Sequence, residues 1–588
     1  MKNLSRAIAS LSLLLALCAP AQAQNDYNES VVVKGSYTPV IDQAEKLSFP
    51  AQISDTLSRI EHAFHYSISP TRLRAMYEPT RIRAARIIGE PATKLYNNYL
   101  RLGMGNYWSP LADLYWSSTR DRLKTYGVRI NHFSSWGELA KMPEYGPVQM
   151  GNTGVTLFGK YIIGDALQLH SDLSYEHDHN LYYGFTDSTL QTVLNQSRDN
   201  ISLADYRASY NVATWNIGIR NMELDARKLG YAADVHLADL WTPWNQNELN
   251  LNISGDIHYG FNINNQYKGV AYLHAEWDAY RYQYAADNLP LGRNATPVML
   301  DPNYVGNLVK LNPFAVFFFR GLDIHAGLLL GWNGIQIGNA AHIFCLFPDV
   351  TVSKKLMHDN LVLSLAATGG LEANSLNSLR QINPYIMPEI SIQGSAEATS
   401  HYDFVGHARL SLSKKLEANT EVSYSLRGSD ITFVLSPLYD LDNVYQILYC
   451  SLNRLTVGGD ITFVNDEMIT LRAGGHYYHY RNTATPGTPG WFHYYRPDWD
   501  ALLALDLNYH YKWFFHLEGQ LLGQMDSDNG TLPMRYGVNA EVEYRHNRAL
   551  SFFLKMDNLA FQRYWYWANY PSQRGLFLAG LTYTIPHK

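Results

Sequence analysis

The stretch Leu249-Asn250-Leu251-Asn252-Ile253-Ser254-Gly255-Asp256-Ile257-His258-Tyr259-Gly260-Phe261 alternates residue by residue. Leu249, Leu251, Ile253, Ile257, Tyr259 and Phe261 fall in one phase; Asn250, Asn252, Ser254, Asp256 and His258 fall in the other. Successive side chains of an extended strand point to opposite sides, so this is a two-faced strand. The split recurs at Val538, Ala540, Val542 and Tyr544 against Asn539, Glu541, Glu543 and Arg545. It recurs again along Leu416–Leu426 against Glu417–Arg427. A chain built of such segments meets the needs of an all-β transmembrane antiparallel barrel, with an apolar band toward lipid and a polar lumen.

Working outward, no apolar run after the N-terminus approaches the ~18 residues of a spanning helix. The densest cluster, Ala315–Phe319, is a strand's worth, and the mean hydropathy is −0.24, as expected when half of each strand is polar. A secreted β-sandwich also alternates. The 43 Tyr and 13 Trp decide between the two by their position at segment ends: Tyr477-Tyr478-His479-Tyr480, Trp491-Phe492-His493-Tyr494-Tyr495, and Tyr564-Trp565-Tyr566-Trp567 with Tyr570. Amphipathic rings at strand ends read as the interfacial girdle of a membrane barrel. The net charge of −6 without a basic block points away from nucleic acid. Cys345 and Cys450 do not make a disulfide framework.

Residues 1–23 read as a signal peptide, with Lys2 and Arg6, an apolar stretch Ala7–Leu17, and Ala21-Gln22-Ala23 before the cut. Residues 24–94 form a separate periplasmic or lumenal segment holding Val31-Val32-Val33-Lys34-Gly35 and a helix-compatible piece, Ser54–Ala63. Residues 95–588 form the barrel, of roughly 18–24 strands and an even number by closure. Short turns are expected at Ile163–Ala166, Asn211–Trp215, Lys414–Asn419, Val464–Met468, Tyr511–Phe514 and Arg545–Ala549. Longer loops are expected at Asp178–Asn200, Arg481–Asp498 and Gln524–Pro533, with an excursion over Ala285–Asn307. That asymmetry matches short periplasmic turns and long extracellular loops.

By strand phase, the lumen-facing candidates for solute contact are Asp172, Asp256, His258, His407, Arg409, Glu417, Glu421, Arg427, Asp506, Glu541, Glu543 and Arg545. The bland alternative is solvation of a watery lumen and inter-strand pairing. Two histidine groups have metal-competent side chains: Glu176-His177-Asp178-His179, and His476 with His479 and His493. Phase puts His177 and His179 on the outer face past the membrane rim, so no metal site is assigned. No nucleophile–histidine spacing stands out, so neither enzyme activity nor a cofactor is expected.

The last forty residues run Leu550–Leu559, then Tyr564, then Tyr570-Pro571-Ser572-Gln573-Arg574-Gly575 and a final alternating strand to Ile585. This resembles the C-terminal hairpin of TonB-dependent outer-membrane receptors: a strand, an Asn-Leu pair, an aromatic, a Pro/Gly/Arg turn and a last strand. The valine segment Val31–Val33 resembles the one that precedes the plug in those receptors. The blocks Gly89–Tyr99 and Asn374–Tyr385 resemble receptor-like barrels of Bacteroidetes. The resemblance implies a final strand read by the barrel-assembly machinery and, through Val31, Val32 and Val33, docking of a TonB-like energy-coupling protein or another periplasmic partner. The rival reading is that Val31–Val33 pair inside the chain and help close or fill the lumen. The family's folded plug does not fit in the interval Gly35–Leu95. The expected function is therefore a porin-like or receptor-like barrel that passes or binds a solute at the outer membrane. The alternative is a scaffold barrel anchoring periplasmic or surface partners.

Overall fold

Alternation over ten or more residues makes long strands, and nothing in their sequences interrupts extended backbone except a few prolines. The structure, a computed structural model, describes residues 98–585 apart from 119–120, 122, 140, 143–146, 165, 185–206, 223–228, 264–266, 285–303, 335–342, 387–397, 437–442, 466–467 and 483–492. The signal peptide, residues 24–94 with Val31–Val33, and most of the Ala285–Asn307 excursion lie outside the described residues; Tyr304–Asn307 instead open the strand Tyr304–Phe319.

Twenty-two strands form one sheet, each antiparallel to the next in sequence. The first, Asn98–Gly105, pairs with Ser109–Ser117 on one side and with the last, Leu576–Ile585, on the other. The sheet thus closes into a barrel with an even strand number. Asn98 stands opposite Ile585, so the chain enters and leaves the ring at one end. That end carries the tight turns. Arg320 and Gly321 both take positive φ, 51° and 80°, in a two-residue hairpin whose twist suits the flanking strands. The opposite end carries the long connections, including two small hairpins, Met525–Ser527 with Gly530–Leu532 and Trp565–Trp567 with Tyr570–Pro571.

One expected turn is wrong. Asn211–Trp215 lies inside the strand Arg207–Asn221, and the connection to Gly230–Trp241 comes later. Asn211 and Trp215 share the outward phase. There Asn211 accepts from the Tyr175 hydroxyl at 2.8 Å and Trp215 donates to Ser171 at 3.0 Å, so a polar stretch that looks like a turn is held as strand. The other expected turns all fall at strand ends.

The two faces of the wall differ as the alternation demands. Leu157, Leu173, Ile253, Leu328, Val422 and Leu554 are exposed on the outward phase. Aromatic rows bound this apolar band. Trp277, Val309, Trp332 and Phe344 stand in register across four strands toward the long-loop end. Tyr509, Trp513 and Tyr544 form a matching row toward the short-turn end. No helix among the described residues is long and apolar enough to cross a membrane; the strands cross instead.

Candidate functional site in the lumen and its lid

The twelve sequence-derived lumen candidates all occupy the strand phase opposite the exposed apolar residues, and most are paired. Arg409 meets Glu417 through two contacts, 2.8 and 2.9 Å, in a fork geometry. Glu541 lies 2.6 Å from Arg101, Asp506 lies 2.7 Å from His516, and Asp256 lies 2.7 Å from His274. Arg427 reaches Glu372 at 3.4 Å and Asp430 at 3.3 Å. Arg545 sits 3.8 Å from Glu543 and 4.3 Å over the Phe514 ring. His407 is in register with Glu421, and Asp172 with Phe158 and Asn216. His258 lies beside Tyr272, ring centroids 5.3 Å apart. These residues do not converge on one point; they ring the lumen.

The densest polar wall is one that the sequence reading leaves out. Lys310 lies 3.3 Å from Glu276 and 3.9 Å from Asp278. Asn252 donates to Glu276 at 2.8 Å and also to Asp278. Asn312 donates to Asp349 at 2.9 Å, and a His325 ring nitrogen lies 2.8 Å from the same carboxylate. The signal was available, since His274, Glu276 and Asp278 share the inward phase of Tyr267–Tyr284. What sequence could not supply is their cross-strand partners.

The histidine groups scatter. A His177 ring nitrogen lies 2.9 Å from Asn211 on the outward phase, with the His179 ring 5.7 Å away. His476 is inward, 3.1 Å from Asp500; His479 is outward; His493 lies in a loop, 2.7 Å from Asp526. Among the described residues no group of three His, Cys, Asp or Glu is placed to hold a metal ion.

The aromatic clusters read as girdle divide, and this is a correction. Tyr477 is outward and exposed, but Tyr478 and Tyr480 share the lumen phase with His476. Tyr570 is fully buried within a core built by the long loops, and Tyr495 is partly buried against that core. That core is a lid across the mouth. Tyr182 and Tyr183 follow the strand Leu167–Leu181. Tyr385 and Ile386 follow a short helix, Leu376–Ile382. Asn443 and Val444 lead into Tyr445, and Trp567–Tyr570 come from the last loop. Tyr385 and Tyr570 stack at 3.6 Å, and Tyr183 meets Tyr570 edge-on at 4.9 Å. Four tyrosine hydroxyls in this group each find a backbone carbonyl on a distant segment. Tyr182 donates to Ile386 at 2.5 Å, Tyr183 to Pro571 at 3.0 Å, Tyr445 to Ala568 at 2.8 Å, and Tyr570 to Asn443. Burial pushes the Tyr183, Tyr385 and Tyr570 phenols well above their ordinary value, so they stay neutral.

The helix ties the lid to the wall. Its N-cap Ser375 accepts from Ser378 N–H at 3.1 Å. Glu248, buried on the wall strand Gln246–Ile263, accepts from the N–H groups of Leu376 at 2.5 Å and Asn377 at 3.1 Å. At the other end Arg380 meets Asp178 of a second wall strand at 2.6 Å. The Asn-Leu pair near the C-terminus also gains a reason. Asn558 takes a left-handed φ of 54°, and its side-chain amide donates to Gln562 at 2.8 Å and to Arg574, folding the last loop back toward the mouth.

No family model and no curated protein sequence matches the chain. Solved structures do. The siderophore receptor PirA from Acinetobacter baumannii superposes with a TM-score of 0.62 at 10% identity, covering 84% of this chain and 81% of that one. The ferric-catecholate import receptor Fiu from E. coli K12 gives 0.58 at 11% identity over 84% and 82%. The ferripyoverdine receptor of the outer membrane of Pseudomonas aeruginosa gives 0.60 at 10% identity over 84% and 72%. The shared property is the fold: this chain has the closed barrel of these receptors, here of 22 antiparallel strands.

Proposed function

We propose that the barrel is a gated outer-membrane receptor that admits a solute to its polar lumen when the lid opens. The observation that carries this reading is the pairing of a continuous polar lining with a mouth covered by interlocked loops. A wall meant only to hold its place has no need of a charged, water-filled interior under a lid. The lumen candidates, from Asp172 and Asp256 through Arg409, Glu417 and Arg427 to Glu541 and Arg545, are assigned as the solute path, with Glu276, Asp278 and Lys310 added to it. The structural relatives are named as receptors, which favours binding and transport over catalysis.

The division into a signal peptide (1–23), an N-terminal segment (24–94) and a barrel (95–588) is part of the proposal. So is docking of a TonB-like coupling protein at Val31, Val32 and Val33, by addition of a strand to a sheet edge. Conductance of the purified protein in planar bilayers tests the reading. A lid that gates the pore gives a mostly closed wild type and a steady channel once Tyr570 is removed. A barrel silent in both forms supports a scaffold instead. Deleting residues 25–40 tests the coupling role, with loss of uptake expected at normal barrel levels and unchanged conductance.

A further inference from the structure

Between two neighbouring strands the ladder stops well short of the mouth. The strands Ile343–Leu356 and Leu361–Glu372 pair from Leu356 opposite Leu361 up to Val350 opposite Ala367. Both strands run on toward the mouth, yet residues 343–349 and 368–372 do not pair with each other. Each keeps its other neighbour: 343–349 pairs with Gly327–Asn333, and 368–372 pairs with Thr399–Asp403. The cause is local. Continuing the register would set Pro348 opposite Gly369, and proline has no N–H to give.

Two rings occupy the gap. Phe347 is fully buried, and its ring lies where a side chain on Gly369 would have to go. The Tyr402 ring is 4.9 Å from it, and the Tyr402 hydroxyl donates to the Leu346 carbonyl at 3.2 Å. On the lumen side His401 lies against Gly370, near Glu372 and Asp403. On the outward side Phe344 is 81% exposed and Leu365 70%, the two largest exposures among the big apolar residues of the wall. The outward residues around the gap are Phe344, Leu346, Pro348, Leu363, Leu365 and Gly369, with no charge among them. Phe344 stands in the aromatic row nearest the mouth, so the gap opens into the hydrocarbon of the outer leaflet.

We propose that this gap is an acyl-chain site: a hydrocarbon chain from the outer leaflet lies along Phe344, Leu346 and Leu365 and enters the wall in the place held by Phe347. The position decides the occupant. An outward, uncharged face between two aromatic rows is bathed by lipid chains. A partner strand finds poor purchase there, because Pro348 offers no N–H and the Leu346 carbonyl is already taken. The site lies in the wall beneath a covered mouth, and it stands whether or not the receptor reading holds.

The test uses the purified full-length protein in detergent with a diazirine-bearing palmitic acid, mapping adducts by peptide mass spectrometry. Labelling at Leu346, Phe347 and Leu371 is expected to exceed that at Leu157 and Leu554, on the paired wall, by roughly tenfold, the ratio of ~1.4 kcal/mol in site affinity. Phe347→Ala should raise it further. Pro348→Val, which restores the missing N–H, should bring it down to the level of Leu157. Equal labelling at the gap and the paired wall overturns the proposal. So does undiminished labelling in Pro348→Val with an intact heat-modifiable barrel, or a covalent adduct between two copies of the chain in place of one with the fatty acid.

Discussion

The Tyr385 and Tyr570 rings lie 3.6 Å apart and 17° from parallel, although one follows the lid helix and the other comes from the last loop of the chain. Neither loop could hold its ring there alone. Each ring buries the other, and the hydroxyl of Tyr570 reaches a third loop at Asn443.

Tyr570→Ala should therefore open the mouth. Removing a buried aromatic costs about 3–5 kcal/mol, here charged to the lid and not to the barrel. Bilayer conductance should rise and bulky antibiotics should enter cells faster, with heat-modifiability unchanged. Tyr385→Ala should do much the same, and the double variant should add little, because the pair is one contact. Unchanged conductance in all three would show that the tyrosines do not gate the pore.

Breaking either anchor of the helix should loosen the lid from the wall. Arg380→Ala leaves Asp178 without its cation, and Glu248→Ala leaves two helix N–H groups without an acceptor. Loss of one partner of a buried ion pair costs about 3–5 kcal/mol. Protease cleavage between residues 373 and 398 on intact cells should accelerate in both variants. Equal resistance to wild type would place the helix's stability elsewhere.

Phase governs tolerance of charge. Ile257→Arg puts a guanidinium in hydrocarbon at about 2–4 kcal/mol near the midplane, and should lower the yield of folded barrel in a heat-modifiability gel. Asn252→Arg points to Glu276 and Asp278 and should fold normally. Matching yields would mean that the faces are assigned the wrong way round.

The loop hairpin Met525–Ser527 with Gly530–Leu532 should respond to pH in two opposite ways. The His493 hydrogen bond holds the Asp526 carboxyl below its ordinary value, so its contribution is present above the unfolded value and lost as pH falls through the folded one. Burial raises Asp528, so its protonated form favours the folded loop, and that support is lost as pH rises through the raised value. Asp528→Asn should leave a loop that loosens only on acidification. Asp526→Asn should leave one that tightens on acidification. Fluorescence of Trp567, whose ring lies 4.7 Å from Tyr495, reports the difference. The same pH profile in both variants would exclude these carboxylates.

The barrel was legible because a period of two over ten or more residues has one physical reading in a chain without apolar helices. The turns at Lys414–Lys415 and Arg545–Ala549 were legible because charge interrupts both phases there. The lid was not. Tyr477 and Tyr478 are neighbours in sequence, and the same cluster of rings serves equally for a girdle or for a loop core. Only the arrival of Tyr385 and Tyr183 from distant loops draws Tyr570 inward. The lumen candidates were found by phase, but Arg101 beneath Glu541 could not be, since they are 440 residues apart and sequence carries no sign of that pairing.

The pairing of Asn98–Gly105 with Leu576–Ile585 has a consequence for how the molecule comes into being. The ring cannot close until the final ten-residue strand has been made, so the nascent protein spends nearly its whole synthesis with two bare strand edges. Such edges recruit other chains, and contacts this distant form late. The ring therefore shuts in one final event, when Leu576–Ile585 meets Asn98–Gly105. A chain that stops short of Leu576 keeps its edges open, and an open edge in lipid has no stable end state.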